Sequence, residues 1–334
     1  MAGSLSPTLA QKLEDAAPGG VRFDVDLSTE TRWKIGGRAL AVVEPGSAAE
    51  TAAVMRAMRD EPLPFVVVGE TSNILFDSDG FDGVLMRIGQ RMSHFRIEGT
   101  RVVAEAGVSV PTLARAVAEA GLTGMEHAAG IPGTLGGLVL MNGGSQRKGI
   151  GSVVQRVVCA DENGELVTFT HDELGFAYRT SSLQGRRVAV VEVELELAVA
   201  EAAAVVAEVE AILAERSQKF PLDLPNCGST FLSDPAMYSI VGPPGKVIEQ
   251  AGLKGLTRGD AQISELHANF IVNNGAATDE DVLYLIAVIR STVTDRTGFT
   301  MDTEVRHLSA DGVLRPAHAA AEERWPDVTP VGGK

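Results

Sequence analysis

The sequence predicts an α+β fold of two or three domains, and three observations indicate it. Residues 23–83 have the pattern strand, helix, strand, typical of a small βαβ unit. Short strands and a hairpin follow, and near residue 198 the composition changes to a long alanine- and glutamate-rich helical pattern. At 334 residues the chain also exceeds the size at which single cores usually stop growing.

The first half of the chain is rich in short apolar runs. ALAVVEP and PFVVVGE predict strands on either side of a helix over residues 48–61, with Ser47 as its N-cap. GVLMRI, HFRIEG and RVVAEA predict further strands, followed by the helix VPTLARAVAEAG. RVVCADENGELVTF predicts a hairpin, because a turn around Gly164 suits positive φ. The run VAVVEVELELAV predicts one more strand.

The second half alternates helices and strands. The long helix spans about residues 198–220, KVIEQAGLKG predicts a helix ended by Gly252, and DEDVLYLIAVIRSTVTDRTG predicts a helix ended by Gly298. HANFIVNNG and MDTEVRHLS predict strands. The segment from Leu314 to the end has no clear period, so we expect a surface extension there.

Charge and cysteine content exclude several classes of protein. With 44 acidic against 29 basic residues, the net charge of −15 opposes binding to nucleic acid or to anionic membranes. No apolar run approaches the roughly 20 residues of a membrane helix, and the N-terminus lacks a basic region followed by an apolar stretch, so we expect a cytoplasmic protein. Cys159 and Cys227 stand in no metal-ligand spacing, which argues against zinc or a disulfide framework. The sequence leaves the oligomeric state open.

Two glycine-containing segments predict a large bound cofactor. IPGTLGG, at residues 131–137, suits a backbone that lies close to a ligand, because a Cβ atom would clash there. GETSNIL, at residues 69–75, follows a strand and offers backbone N–H groups to an anion. Neither is a dinucleotide fingerprint or a P-loop. A glycine-rich crossover and a plain turn remain the alternative readings.

Ten ordered motifs then carry a family resemblance. They are RWKIGG (32–37), GETSNIL (69–75), GME (124–126), GIPGTLGG (130–137), MNGG (141–144), YRTS (178–181), GSTF (228–231), GLKG (252–255), HANFIVN (267–273) and TEV (303–305). Over about residues 22–312 the chain resembles the UDP-N-acetylenolpyruvoylglucosamine reductases. Its short spacing between Arg179 and Ser229 resembles the shorter subclass, which lacks an extra tyrosine-bearing loop.

The resemblance implies a particular domain plan. A two-part FAD-binding domain of the vanillyl-alcohol-oxidase type is expected over residues 22–85 and 86–200, and an α+β substrate-binding domain over residues 201–312. An N-terminal arm (1–21) and a C-terminal extension (313–334) flank them.

The resemblance also implies the ligands. FAD is expected to bind without a covalent link, NADPH to serve as co-substrate, and a UDP-sugar to be the small-molecule partner, in the reduction that gives UDP-N-acetylmuramate for peptidoglycan. The expected cofactor-binding residues are Gly69, Ser72, Asn73, Ile74, Leu75, Gly130, Ile131, Pro132, Gly133, Gly136, Gly137 and Asn142.

Reduction of an enol ether that bears a carboxylate needs a proton donor and groups that stabilise an enolate. Arg179, Ser229 and Glu304 are of suitable types, and by resemblance they are the catalytic trio, with Ser229 as the proton donor. Each has an ordinary reading as an ion-pair, turn or solvent-facing residue. Candidates for the diphosphate and sugar are Tyr178, Lys219, Lys254, His267 and Arg306.

Three departures from the family pattern leave the substrate less certain than the flavin. Thr71 stands where the family commonly has glycine, residues 143–148 contain a basic pair, and residues 232–245 are longer than usual. A related FAD-dependent reductase or oxidase for another nucleotide-linked or enolpyruvyl substrate therefore remains an alternative. A non-catalytic flavin-binding protein is the remote one.

Overall fold

The computed structural model describes residues 5–331, and its contacts divide the chain into two units. Unit 1 comprises Met1–Phe23, Leu40–Glu70 and Val84–Arg216, whereas unit 2 comprises Asp24–Ala39, Thr71–Gly83 and Ser217–Lys334. Both units are therefore built from separate stretches of the chain. The predicted five-part domain plan follows functional rather than contact boundaries and stays a prediction.

Up to residue 199 the helices and strands are α1 (Pro7–Ala16), β1 (Val21–Asp26), β2 (Arg38–Val43), α2 (Ala48–Met58), β3 (Phe65–Val68), β4 (Ile74–Phe76), β5 (Phe81–Arg87), β6 (Phe95–Glu98), β7 (Arg101–Glu105), α3 (Val110–Glu119), β8 (Leu122–Thr123), α4 (Leu135–Leu140), β9 (Val154–Ala160), β10 (Leu166–Thr170), α5 (His171–Leu174), β11 (Ala189–Glu196) and β12 (Ala198–Val199). They are followed by α6 (Ala202–Lys219), α7 (Pro235–Ile240), α8 (Pro244–Gln250), β13 (Thr257–Arg258), β14 (Ala261–Ile263), β15 (Ile271–Asn273), α9 (Asp279–Thr297), β16 (Arg306–Leu308), β17 (Leu314–Pro316) and α10 (Ala317–Arg324).

The described strands form small sheets. One has the order β1-β2-β5-β3, with β3 parallel to β5, and the largest is antiparallel with the order β10-β9-β11-β7-β6. The predicted hairpin is β9–β10, and Gly164 in its turn has φ +72°. In unit 2, β13-β14-β15 is antiparallel, and β17-β16-β4 pairs β16 parallel to β4. The mixture confirms the predicted α+β class.

Helix starts follow the sequence signals closely. Ser47 caps α2 by accepting a hydrogen bond from the backbone N–H of Glu50 at 3.1 Å, as predicted. The predicted N-terminal arm contains α1, whose Leu9 and Leu13 are buried in the core of unit 1. Gly298, with φ +75°, ends the buried helix α9 in unit 2.

The prediction of a surface extension after Leu314 is wrong for its first part. Residues 314–324 form β17 and α10, and Ala317, Ala320 and Ala321 of α10 are fully buried in the core of unit 2. Arg324 donates hydrogen bonds to Asp77 at 3.0 Å and to Asp279 at 2.6 Å, which fixes this helix. Alanines allow a close helix contact because they are small. They are also only weakly hydrophobic, so the sequence pattern did not reveal the buried face of α10. The last three residues lie outside the described residues.

Two predicted strands are much shorter than expected. β15 begins only at Ile271, so His267 lies in the preceding turn, and β16 begins only at Arg306, so Glu304 lies in a bend. In each case a backbone group next to the strand bonds elsewhere. The N–H of Phe270 bonds to the carbonyl of His267 at 3.0 Å, and the N–H of Glu304 bonds to the carbonyl of Thr230 at 2.9 Å. Among residues 5–331, none of the helices combines the length and apolarity needed to cross a membrane.

Candidate active site

The glycine segment of unit 1 ends in a short helix. Thr134 is the N-cap of α4, and its side-chain oxygen accepts a hydrogen bond from the N–H of Gly137. A Cβ atom on Gly69 would overlap the Thr134 hydroxyl, so Gly69 lies directly against this cap. The structure thus brings the first residue of the 69–75 segment to the 130–137 segment.

The glycines of this segment do different things. A Cβ atom built on Gly136 would lie 2.9 Å from Ala106 Cβ, so this glycine allows α4 to pack closely on the sheet. A Cβ atom on Gly137 would meet only the Thr134 hydroxyl, at 3.6 Å, and otherwise points into open space. The N–H of Gly136 is not available to a ligand, because it bonds to the carbonyl of Ala106 at 2.8 Å.

Gly130, Gly133 and Pro132 shape the approach to α4. Gly133 has φ +142°, a conformation that favours glycine, and its carbonyl accepts the N–H of Val110 at 3.0 Å. A Cβ atom on Gly130 would overlap Arg216 Cδ. Pro132 and Ile131 are half-buried beside them.

Two polar residues near this segment are not among the predicted site residues. Arg216 lies in α6 beside Gly130, and burial lowers the pKa of its guanidinium. His127 is buried, its Nε2 has no partner within residues 5–331, and burial together with Lys148 lowers its pKa. Neither belongs to one of the family motifs, and only the fold shows the contact of Arg216 with Gly130 and the unpartnered Nε2 of His127 among residues 5–331.

Asn142 joins three segments of unit 1. Its Nδ2 donates to the carbonyl of Ala177 at 2.8 Å, and its Oδ1 accepts the N–H of Gly151 at 2.9 Å. The residue has φ +42°, which asparagine tolerates better than most side chains. Both groups of its carboxamide are thereby engaged with the main chain.

Arg179 is held by the unusual 143–148 segment. Its Nη2 donates to the carbonyl of Gly144 at 2.9 Å, and Gln184 Nε2 donates to the Arg179 carbonyl at 3.0 Å. Arg179 is half-buried and has φ +53°, a strained backbone conformation for arginine. The adjacent Tyr178 is exposed, and the guanidinium carbon of Arg179 lies 5.5 Å from its ring centroid.

In unit 2 the rest of the 69–75 segment leads into a strand. Ser72 and Asn73 form the turn after Thr71, while Ile74 and Leu75 begin β4. Thr71 has φ +53°, and its hydroxyl accepts the N–H of Arg32 at 2.9 Å, which offsets part of the backbone strain. The predicted cofactor segment is therefore divided, with Gly69 in unit 1 and residues 72–75 in unit 2.

The same turn is tied to the loop of residues 226–231 in unit 2, which contains Ser229 and is called the serine loop below. The thiol of Cys227 donates to the carbonyls of Thr71 and Ile74, at 3.5 and 3.6 Å. Burial raises the pKa of Cys227 to about 12, so its thiol stays protonated at neutral pH. Cys227 therefore acts as a small packing residue beside the turn at Thr71.

Ser229 and Glu304 are brought together although they are 75 positions apart in the sequence. Ser229 is half-buried in a turn where Gly228 has φ +76° and donates its N–H to Asn226 Oδ1 at 2.9 Å. The next residue, Thr230, accepts the N–H of Glu304 at 2.9 Å. Phe231 and Thr303 extend this contact as an antiparallel bridge.

Three of the predicted substrate residues form a basic cluster in unit 2. Burial lowers the pKa of His267, and the positive charges of Lys254 and Lys219 lower it further. Lys254 also bonds to Glu249 at 2.9 Å. The imidazole of His267 packs on Phe220 and Phe270, with ring centroids 5.2 Å away in each case. A neutral hydrogen-bonding ring near two lysines is suited to an anionic ligand.

Arg306 begins β16. Its N–H donates to the carbonyl of Asn73 at 3.1 Å, and its Nη2 donates to the carbonyl of Leu314 at 2.8 Å. The structure therefore gathers Ser229, Glu304, Lys219, Lys254, His267 and Arg306 in unit 2. Arg179, Tyr178, Asn142 and the glycine segment belong to unit 1.

These features define the protein as an FAD-dependent oxidoreductase. An FAD-binding domain model matches residues 39–170, and the C-terminal domain model of UDP-N-acetylenolpyruvoylglucosamine reductase matches residues 220–308. The structure fits a flavin nucleotide that is held largely by main chain. The cofactor cradle is the open space beside Gly137, next to Gly69 and Thr134, and the unpartnered Nε2 of His127 lies in the same unit.

Comparison with individual proteins gives the family. UDP-N-acetylenolpyruvoylglucosamine reductase 1 of Corynebacterium glutamicum is 57% identical over 305 residues, covering 91% of each chain. The reductase of Heliobacterium modesticaldum is 40% identical over 286 residues, covering 86% of this chain and 90% of its own. The chain belongs to the UDP-N-acetylenolpyruvoylglucosamine reductase family.

A solved structure supports the fold. The crystal structure of UDP-N-acetylenolpyruvylglucosamine reductase from Thermus caldophilus superimposes with a TM-score of 0.73 at 28% identity, covering 86% of this chain and 99% of that one. The fold is thus the predicted two-part FAD-binding domain joined to an α+β substrate-binding domain.

Proposed function

We propose that this chain reduces the enolpyruvyl ether of UDP-N-acetylglucosamine to UDP-N-acetylmuramate for peptidoglycan synthesis, with NADPH as the electron donor and Ser229 as the proton donor. The observation that carries the proposal is the link between Ser229 and Glu304 through the carbonyl of Thr230. This main-chain bond joins the two loops of unit 2 that carry Ser229 and Glu304.

The binding roles follow from charge. Lys219, Lys254 and His267 would hold the diphosphate, because two ammonium groups and a neutral imidazole N–H all donate to phosphate oxygens. Arg306 and Tyr178 are proposed to contact the remainder of the nucleotide sugar. The main chain around Gly69, Gly133 and Gly137, with Asn142 supporting it, would hold FAD without a covalent link.

The chemistry assigns one task to each member of the trio. FAD, when bound, supplies the hydride that it has received from NADPH. The hydride would go to one alkene carbon of the substrate, and Ser229 would donate a proton to the other. Arg179 and Glu304 would stabilise the enolate, whose charge spreads into the substrate carboxylate. A serine hydroxyl is a weak acid in water, so its alkoxide must be stabilised or reprotonated at once.

The proposal predicts a separation of the two half-reactions. Ser229→Ala should leave bleaching of the flavin by NADPH almost unchanged, because hydride transfer to the flavin needs no proton from Ser229. Reoxidation by the enolpyruvyl substrate should slow by on the order of 10² to 10⁴-fold, the usual cost of losing a positioned acid. Anaerobic stopped-flow absorbance at the flavin band measures both rates.

Ser239→Ala is the matched control, because Ser239 is an exposed serine of α7 whose hydroxyl bonds to the carbonyl of Ala236 in its own helix, at 2.9 Å. Both of its half-reactions should match the wild-type protein. Equal slowing of both half-reactions in Ser229→Ala would return Ser229 to a structural role. Absence of reoxidation in the wild-type protein would refute the proposed substrate.

The segment of residues 232–245 bears on the alternative substrate. It contains α7, which is anchored by buried Met237 and exposes Tyr238 and Ile240, and it follows directly on Phe231 of the serine loop. If the reduced protein reacts faster with a different nucleotide-linked enolpyruvyl ether than with the UDP-N-acetylglucosamine ether, the alternative reductase is favoured.

A cytoplasmic location stays a prediction of the sequence.

A further inference from the structure

We infer that Asn269 is the positioning residue of the proton-donor turn, an assignment that rests on the proposed role of Ser229. Asn269 lies in the turn before β15, is only 5% exposed, and is separated by 38 positions from the residue with which its side chain pairs. The side chain of Asn269 and its main-chain carbonyl bond to the serine loop, and its main-chain N–H bonds to His267.

The carboxamide of Asn269 pairs with Phe231 as a neighbouring strand would. Its Oδ1 accepts the N–H of Phe231 at 2.9 Å, and its Nδ2 donates to the carbonyl of Phe231 at 3.0 Å. The main-chain carbonyl of Asn269 also accepts the N–H of Thr230, at 2.7 Å. Three hydrogen bonds from one buried residue therefore fix the two residues that follow Ser229.

This clamp fixes a loop that regular structure does not. Phe231 makes only an isolated bridge, to Thr303, and the chain around Ser229 belongs to no helix or strand. The carbonyl of Thr230 faces the N–H of Glu304, so a shift of Thr230 would move Ser229 and Glu304 together. Proton transfer depends steeply on such placement, and a shift of about 1 Å can cost on the order of 10²-fold in rate.

The same residue reaches the basic cluster. The main-chain N–H of Asn269 donates to Nδ1 of His267 at 3.3 Å, which leaves the proton of the neutral ring on Nε2. His267 can therefore donate from Nε2 to an anionic group. Asn269 thus sets the geometry of the proton donor and the orientation of a phosphate-binding ring at once.

Asn269→Asp is the sharpest test, because an ionised carboxylate retains the acceptor for the Phe231 N–H, but it loses the donor to the Phe231 carbonyl and faces that carbonyl with a negative charge. With the FAD-loaded protein, NADPH reduction of the flavin should stay within about threefold of wild type, and reoxidation by the enolpyruvyl substrate should slow by about 10- to 100-fold. Reoxidation should recover as the pH falls, since a protonated carboxyl group again donates to that carbonyl.

Asn273→Asp is the matched control. Asn273 is equally buried, and its carboxamide bonds to the main chain of Trp33, Gly275 and Ala277 rather than to the serine loop. It should lower thermal stability without changing the ratio of the two half-reaction rates. Asn269→Ala, measured by the same ratio, serves if Asn269→Asp does not purify with flavin.

The outcomes separate the two ideas. If wild type is not reoxidised by the substrate, the proposed function fails and not the clamp alone. If wild type is reoxidised but the Asn269 variants show the same rate ratio as Asn273→Asp, the positioning role is overturned. Selective loss of reoxidation that is restored at lower pH in Asn269→Asp supports it.

Discussion

Two neighbouring glycines in α4 should respond in opposite ways to the same substitution. In Gly136→Ala the new Cβ would lie 2.9 Å from Ala106 Cβ and 3.2 Å from its carbonyl oxygen, so the helix must shift. Overpacking of this kind costs about 1–3 kcal/mol, while the better helix propensity of alanine returns up to about 1 kcal/mol. We expect the free energy of unfolding to fall by about 1–2 kcal/mol.

Gly137→Ala places its Cβ in open space, with only the Thr134 hydroxyl at 3.6 Å. The free energy of unfolding of the apoprotein should rise by about 0.4–1 kcal/mol, because alanine restricts the unfolded chain. The same methyl group would enter the space assigned to the flavin nucleotide. FAD affinity should therefore fall at least about tenfold, which is about 1.4 kcal/mol.

Urea denaturation of the apoproteins and FAD titration followed by flavin fluorescence measure the two effects separately. The reasoning requires the stability loss in Gly136→Ala and the affinity loss in Gly137→Ala. Wild-type FAD affinity in Gly137→Ala would show that the open space beside Thr134 is not the cofactor cradle. Equal destabilisation by both substitutions would refute the packing role of Gly136.

Three further outcomes are expected. Thr71→Val should unfold at a lower temperature than Thr71→Gly, because both variants lose the bond to Arg32 but only valine keeps the cost of φ +53°, which glycine relieves by about 1–2 kcal/mol; equal melting temperatures would contradict this. The two bonds from Arg101, opposed by burial and reinforced by Arg156, lower the pKa of Glu194 to about 2. Its stabilisation is therefore present above the unfolded pKa of about 4.3 and is lost as the pH falls toward 2, so Glu194→Gln should be less stable than wild type at pH 7, with urea midpoints that converge near pH 2. Acid precipitation should release all FAD into the supernatant, and flavin retained in the pellet would reveal a covalent link.

The sequence predicted local features well, because their causes are local. Ser47 as an N-cap, Gly298 as a helix end and Gly164 in a hairpin turn each follow from one side chain and its nearest neighbours. The family motifs named the cofactor and the reaction type. The α+β class followed from strands and helices whose periodicity was clear.

The rest depended on contacts between distant segments. Gly136 and Gly137 are equivalent in sequence, and only the position of Ala106 separates a packing glycine from an open one. The sequence pattern assigned Asn269 to a strand. Its pairing with Phe231 was not predicted, because 38 positions separate the two residues. The burial of α10 depends on its contact with α9, and an alanine-rich sequence does not show which helix it packs against.

The discontinuous build of unit 2 also constrains how the chain can fold. Its strand β16 pairs with β4 from residues 74–76, and the indole N–H of Trp33 bonds to the carbonyl of Ile271 at 3.0 Å. These pairings join residues more than 200 positions apart, so loop closure over most of the chain must precede them. During synthesis on the ribosome, β4 and Trp33 must therefore wait for these partners until the C-terminal third emerges. A fragment that begins at Ser217 would lack β4, the parallel partner of β16. We therefore expect that unit 2 does not fold when it is expressed as this C-terminal fragment alone.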